Sequence, residues 1–381
     1  MKKISFNFMF SVLILSASMI DALSSGSAWG KSSYQGTGWD LPSAPSSGAS
    51  SDASVGVITE NSPSKYIILA DSQQFKPILD FHEIVAKNLP SDVGIIYVFN
   101  PEASFTGESD FLKKYKTDFG SGRFQLIEHA LEGSWARDYM PELVRLPNGK
   151  IRAVTFNYFR SNDTEASKAL IEKYGWEYNH VPIEIEGGNL VIDSFQKRIF
   201  LSESTLKRNP KLSKIEIEKM LKSALLEDSV YWLPELPNEQ TGHADVFARL
   251  VTKDTFFVAD SFKQDQKIAL DKTAQILLNL GYKVVRITSA LTDSQNNENS
   301  FYSYINSLIV NNTVFVPSYS LMPDDNGKLN MNMLVAVLDE RAKKAYTALG
   351  LKVVQVPMFT MAGYGGTVHC LTKQVGIPLS N

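Results

Sequence analysis

The sequence predicts one large α/β domain built by radial repetition of five mixed helix-and-strand units around an axis. Two observations carry this reading: a helix-then-strand pattern recurs five times, and hairpin-like strand pairs with turn residues lie between the copies. A doubly wound sheet is the alternative for alternating helices and strands, but it needs no hairpins.

The first copy is a helix around Phe75–Asn88 followed by a strand Gly94–Phe99. In the second, a helical stretch ends at Tyr174-Gly175-Trp176 and runs into Tyr178-Asn179-His180-Val181-Pro182. The third opens on Ser213 with Glu216 three residues on, a capping box in which each side chain satisfies the other's backbone N–H. Ile217, Met220, Leu221, Ala224 and Leu225 then recur at helical spacing, ahead of a strand Val230–Pro234. The fourth and fifth share a pattern, Leu280-Gly281-Tyr282-Lys283-Val284-Val285 and Leu349-Gly350-Leu351-Lys352-Val353-Val354. Glycine just past a helix takes the left-handed conformation at low steric cost. Hairpin-like strands are predicted at Ile151–Tyr158 after Pro147-Asn148-Gly149, at Val246–Asp260 around Lys253-Asp254, and around Asn311-Asn312.

The ends and the composition narrow the function. Lys2 and Lys3 precede an apolar run from Phe6 to Ile20 and then small residues, the pattern of a cleaved signal peptide over residues 1–28, with cleavage after Ala22 or Ala28. The run is shorter than the ~20 residues a spanning helix needs. A secreted or periplasmic protein with no membrane insertion after cleavage is expected. Residues 29–64, rich in Ser, Gly and Pro, read as a flexible leader, and the catalytic domain is placed at 65–381. Lys and Arg number 38 against 41 Asp and Glu, so no basic excess points to nucleic acid. A single cysteine excludes an internal disulfide and any cysteine-based metal cluster. Asp324-Asp325-Asn326-Gly327 reads as a turn before a helix near Leu334 rather than a calcium loop. No metal and no cofactor are expected.

Polar residues collect at similar stations, each one segment after a helix-following strand: Trp135-Ala136-Arg137-Asp138, Glu186-Gly187-Gly188-Asn189, Gly242-His243-Ala244-Asp245, Tyr304-Ile305-Asn306-Ser307, and Gly365-Gly366-Thr367-Val368-His369-Cys370. In a radial fold, equivalent stations converge on the axis. Acidic groups, a histidine and the only cysteine then share one cavity. Each alone has a plainer reading: a buried apolar cysteine, a core histidine, a turn glutamate, a surface Arg137–Asp138 pair. His243 and Asp245 alternate on a predicted strand and would face the same side. Two carboxylates facing a cysteine suit a planar cation better than acyl transfer, which needs donors around an oxyanion. The cysteine would attack a guanidinium carbon while histidine protonates the departing amine and then activates water.

These motifs, in this order, resemble the agmatine deiminase and bacterial-type peptidylarginine deiminase family, over roughly Lys65 to Lys373. The resemblance implies the five-bladed α/β propeller of the guanidino-group-modifying superfamily, with pseudo-fivefold ββαβ-type repeats. It implies Cys370 as nucleophile forming a thiouronium adduct, His243 as general acid and base, and Asp138 and Asp245 clasping the guanidinium. Trp135 would cover the guanidinium face, Asn306 matches an active-site asparagine, and Glu186 would orient the histidine. The bacterial peptidylarginine deiminases bind a peptide carboxylate through two arginines; here Tyr158-Phe159-Arg160-Ser161-Asn162-Asp163 keeps only Arg160. The partner implied is a small guanidine or an arginine-containing peptide. An amidinotransferase on the same fold, or a non-catalytic binder of arginine-containing ligands, are the other readings.

Overall fold

The computed structural model describes residues 55–103, 110–119, 122–290, 301–323 and 328–379. The predicted signal peptide, leader residues 29–54 and the turn at Asp324–Gly327 lie outside the described residues.

All five helix-then-strand copies are present, and in each the helix connects two parallel neighbours. The strands are Tyr66–Asp71 and Gly94–Phe99, joined by helix Lys76–Asn88; Ile151–Asn157 and Glu177–Glu184, by Ser161–Tyr174; and Arg198–Ser202 and Ser229–Leu233, by Lys214–Leu225. The last two pairs are Thr255–Asp260 with Lys283–Thr288, across Gln264–Asn279, and Thr313–Ser318 with Lys352–Pro357, across Met333–Ala348.

A third strand runs antiparallel beside the first strand of every unit. In units two to five it precedes that strand: Glu142–Arg145, Val191–Asp193, Ala248–Thr252 and Leu308–Val310. In unit one it comes from the far end of the chain, where Thr372–Val375 pairs with Tyr66–Asp71. The fold is therefore mixed α/β, with every unit combining a hairpin-type pair and a parallel crossover pair. First and last segments are joined through backbone hydrogen bonds.

Local chemistry accounts for the element ends. Gly175, Gly281 and Gly350 all take positive φ, at 62°, 89° and 78°, where a Cβ would be strained. The capping box forms, with Ser213 N–H donating to Glu216 Oε2 at 2.8 Å and Glu216 N–H donating to Ser213 Oγ at 3.3 Å. The third-unit strand ends at Leu233 rather than Pro234, because proline has no N–H to give the ladder. All six residues of Gly94–Phe99 are buried, as expected of a parallel strand flanked by neighbours on both edges.

Two expectations are corrected. The ordered chain begins before Lys65: Gly56–Val57 pairs with Glu142–Arg145, and Ile58 N–H donates to Leu143 O at 2.8 Å. The leader's composition concealed a two-residue edge strand too short for periodicity to reveal. His243 and Asp245 also do not lie on a strand; His243 caps a single 3-10 turn, Ala244–Val246. Gly242, at φ 71°, turns the chain so that the strand starts only at Ala248.

Among the described residues, the core holds an ionisable ring without a hydrogen-bond partner. His82 is fully buried against Tyr97 and Phe111, and neither ring nitrogen has a hydrogen bond. Burial pushes its pKa down to about 3. The unfolded chain then binds a proton that the folded chain refuses between about pH 6.5 and 3, so this contribution to stability is lost as pH falls. Between pH 7 and 5 the loss is about 2 kcal/mol. A His82→Phe variant should lack it, and the stability difference between variant and parent, from denaturant melts at the two pH values, should widen by that amount.

Candidate active site

The five polar stations occupy the same place in each unit, just ahead of the antiparallel strand. Asp138 is on the short helix Ala136–Tyr139 before Glu142–Arg145; Glu186 opens the 3-10 turn Gly187–Asn189 before Val191–Asp193. His243 and Asp245 precede Ala248–Thr252, Asn306 precedes Leu308–Val310, and Cys370 precedes Thr372–Val375. Their side chains meet. Asn306 Nδ2 donates to Cys370 Sγ at 3.1 Å, and Sγ is 3.8 Å from Asp245 Oδ2. His243 Nδ1 is 3.7 Å from Asp138 Oδ1, and its Nε2 is 2.5 Å from Glu186 Oε2.

Glycines permit this closeness. A Cβ on Gly188 would stand 2.5 Å from His243 Nδ1 and 3.0 Å from Asp138 Oδ1, and one on Gly366 would stand 2.8 Å from the Trp135 ring and 2.9 Å from Cys370 Cβ. Trp135 therefore lies beside the nucleophile position, across Gly366. Asn189 acts as a splint: its Oδ1 accepts from the N–H groups of Ser202 and Ala244 at 2.9 and 3.0 Å, tying the third and fourth units together behind His243.

The electrostatics are unbalanced by design of these groups. Asp138 Oδ1, Asp245 Oδ1 and His243 Nδ1 are buried and have no hydrogen-bond partner. Burial raises Asp138, with Glu186 and Asp245 adding to the rise and His243 opposing it. Burial would lower His243, but Asp138, the hydrogen-bonded Glu186 and Asp245 outweigh it and lift the imidazole to about 9. Burial opposes ionisation of Glu186 too, yet His243 and Arg208, whose Nη1 is 2.7 Å away, hold its carboxyl below the usual range. Burial, then Asp245 and Asp138, push the Cys370 thiol well above its ordinary value despite the Asn306 hydrogen bond. The result is a cavity with two inward carboxylate oxygens, a charged histidine and a protonated thiol.

Seven of the eight predicted residues are thus brought to one place: Cys370, His243, Asp138, Asp245, Asn306, Glu186 and Trp135. Arg160 is set apart. Its guanidinium lies over the Phe159 ring, centroid 4.9 Å away, and 3.9 Å from Asp163, while its Nη1 has no hydrogen-bond partner. Tyr158 stands within electrostatic reach of both Asp138 and Arg160. Sequence reasoning missed Arg208, His369 and Glu60. Arg137 is no surface residue; it is buried against Glu60, with Nη1 2.6 Å from Oε1. His369 lay inside a quoted motif, whereas Arg208 and Glu60 carry no local signal.

Residues 80–376 match the profile of the Porphyromonas-type peptidyl-arginine deiminase family. An agmatine deiminase of Pseudomonas fluorescens is 26% identical over 297 residues, 67% of this chain and 77% of that protein. One of Pseudomonas aeruginosa is 27% identical over 300 residues, 68% and 78%. Among solved structures, the C. jejuni agmatine deiminase superposes with a TM-score of 0.67 at 18% identity, covering 86% of this chain and 98% of that one.

Replacing Gly188 by Ala would wedge a methyl between His243 and Asp138. Misplacement of about 1 Å in such a site costs on the order of 100-fold in rate. Gly188→Ala should therefore lose turnover by that factor while its circular dichroism spectrum stays that of the parent, and near-parental kcat/KM would refute the close approach.

Proposed function

The chain belongs to the Porphyromonas-type peptidyl-arginine deiminase and agmatine deiminase family, and from that premise we propose that it converts a guanidinium group into a ureido group and ammonia through a covalent adduct on Cys370. It is a hydrolase of the agmatine deiminase type, acting on amidine C–N bonds. The observation that carries the mechanism is the trio of buried polar atoms without partners, Asp138 Oδ1, Asp245 Oδ1 and His243 Nδ1, around Cys370. A planar cation with N–H groups on two sides supplies what these atoms lack.

Each step follows from a named group. The substrate guanidinium seats between Asp138 and Asp245 with Trp135 beside its face. Its charge offsets the two carboxylates that hold the Cys370 thiol protonated, and the thiol releases its proton to solvent. The thiolate attacks the central carbon. His243, protonated below about pH 9, gives the Nδ1 proton to the departing nitrogen, and the C–N bond breaks to release ammonia. The neutral imidazole then takes a proton from water, whose oxygen attacks the thiouronium carbon. The C–S bond breaks as the new hydroxyl gives up its proton to the departing sulfur, returning the Cys370 thiol and the neutral ureido product. Glu186 holds Nε2 and keeps Nδ1 aimed at the cavity. Asn306 steadies the sulfur.

Agmatine is the leading substrate, supported by the relatives' names. A peptide ending in arginine is the second reading; Arg160, whose contact with Asp163 is a long 3.9 Å, is the cation that would meet its carboxylate. We also propose that the five units are the blades of an α/β propeller closed by the Thr372–Val375 pairing, and that the basic and apolar N-terminus directs export. Both are supported by pattern: five equivalent stations in the first case, the Lys2-to-Ala28 run in the second.

Ammonia release from agmatine, free arginine and a peptide ending in arginine, without an amine acceptor, tests the reaction. Release is expected from the parent and none from Cys370→Ala; ammonia from that variant would remove Cys370 as nucleophile, and a requirement for added amine would indicate amidine transfer instead. On a Cys370→Ala background, Asp138→Asn should weaken binding of a guanidine by about 10- to 100-fold, the scale of a hydrogen bond to a charged group. Unchanged calorimetric affinity would dismiss the clasp. The parent's kcat should fall on the alkaline side as His243 loses its proton near pH 9.

A further inference from the structure

We infer that Glu60 is a positioning residue for the guanidinium clasp, acting through His369 on Asp245. The inference rests on the reaction proposed above and adds a residue upstream of residues 80–376, the stretch that matches the family.

The chain carrying Glu60 is fixed on both sides: Gly56 and Val57 pair with Arg145 and Val144, and Lys65 N–H donates to Val375 O at 2.8 Å. Glu60 reaches inward to three partners. Arg137 Nη1 is 2.6 Å from Oε1, Arg249 Nη2 is 2.7 Å from Oε2, and the Nε2 edge of His369 meets Oε1. The other edge of that ring, Nδ1, is 2.5 Å from Asp245 Oδ2. His369 is 3% exposed and directly precedes Cys370 in the chain. Its backbone N–H donates to Asn306 Oδ1 at 3.2 Å, the same asparagine whose Nδ2 reaches the sulfur.

Chemistry makes this line of contacts more than packing. Two carboxylates can accept from one imidazole only when both ring nitrogens carry a hydrogen. Glu60 supplies the anion that keeps the Nε2 hydrogen in place. Burial would raise its carboxyl, but Arg137, Arg249 and His369 hold it well below the usual range, so it stays an anion throughout the working pH. The charged groups facing His369 are Glu60 from the N-terminal segment, Asp245 from the 3-10 turn, Arg137 from the short helix, with Nε 3.5 Å from His369 O, and Arg249 from the neighbouring strand. The Lys373–Glu142 pair lines the same cavity and is internally neutral. With Oδ2 of Asp245 held by His369, its Oδ1 is left unpartnered for substrate. Substrate binding, more than the chemical step, depends on that orientation.

The test is the separation of KM from kcat for the preferred guanidine in the parent, Glu60→Gln, His369→Gln and the double variant. Glu60→Gln keeps the shape but removes the anion. Its KM should rise about tenfold above the parent's, with kcat changed much less. In the His369→Gln background, Glu60→Gln should add nothing to KM, because the coupling runs through the ring. A Glu60→Gln variant that melts earlier and loses kcat, with the parent's KM, would reduce Glu60 to a structural anchor. Additive effects in the double variant would do the same. Should the parent release no ammonia from any guanidine, the proposed reaction fails separately. Calorimetric binding of a guanidine to Cys370→Ala, with and without Glu60→Gln, then decides: a loss of affinity upholds the positioning role, and equal affinities end it.

Discussion

The site is governed by two carboxylate oxygens held out of water without a donor. Asp138 and Asp245 each bury an oxygen that accepts nothing, a position that costs free energy unless a donor arrives. The neighbouring cations do not supply that donor: His243 sits on Asp138 and Glu186, His369 on Asp245 and Glu60, and both oxygens stay without a hydrogen bond. What remains suits one class of guest, a cation whose N–H groups lie in a plane. Burial and then these two carboxylates raise the thiol, so in the proposed reaction substrate binding and activation of the nucleophile are one electrostatic event.

The architecture holds that charge by distributing its supports over all five units. Each unit offers the turn before its antiparallel strand, and no unit contributes more than two of the converging side chains. Backbone alone cannot fix such a cluster, so cross-unit splints appear: Asn189 between units three and four, Asn306 to the residues around Cys370, Arg137 to Glu60 and Gln374. The Thr372–Val375 strand completes unit one two residues after the nucleophile. Closing the sheet and placing the sulfur are therefore the same act of folding, and damage to that strand reaches the site directly.

Most of this was readable because it is local. Helix ends at Gly175, Gly281 and Gly350, the Ser213–Glu216 box and the five polar stations are all short strings whose chemistry does not depend on distant partners. What escaped depends on pairing across the chain. Glu60 meets residues 77, 189 and 309 positions away in sequence, and a leader rich in Ser and Gly gave it no context. The antiparallel partner of the first unit comes from the opposite terminus, so no hairpin signal exists for it. His243 and Asp245 looked like alternating strand positions because period two does not distinguish a strand from the two ends of a tight turn.

A single cysteine pushed far above its ordinary pKa is a weak nucleophile toward oxidants and adventitious electrophiles, since the thiolate is the reactive form. In the proposed reaction, entry of a cation into the clasp offsets the carboxylates' field at the sulfur. Reactivity is thereby tied to occupancy, and selectivity for a charged planar group follows twice, once in binding and once in activation. A neutral isostere of the guanidinium loses on both counts, because it neither satisfies Asp138 and Asp245 as a charged donor nor releases the thiol proton. In the proposed reaction, discrimination by charge is thus built into the chemistry at the sulfur.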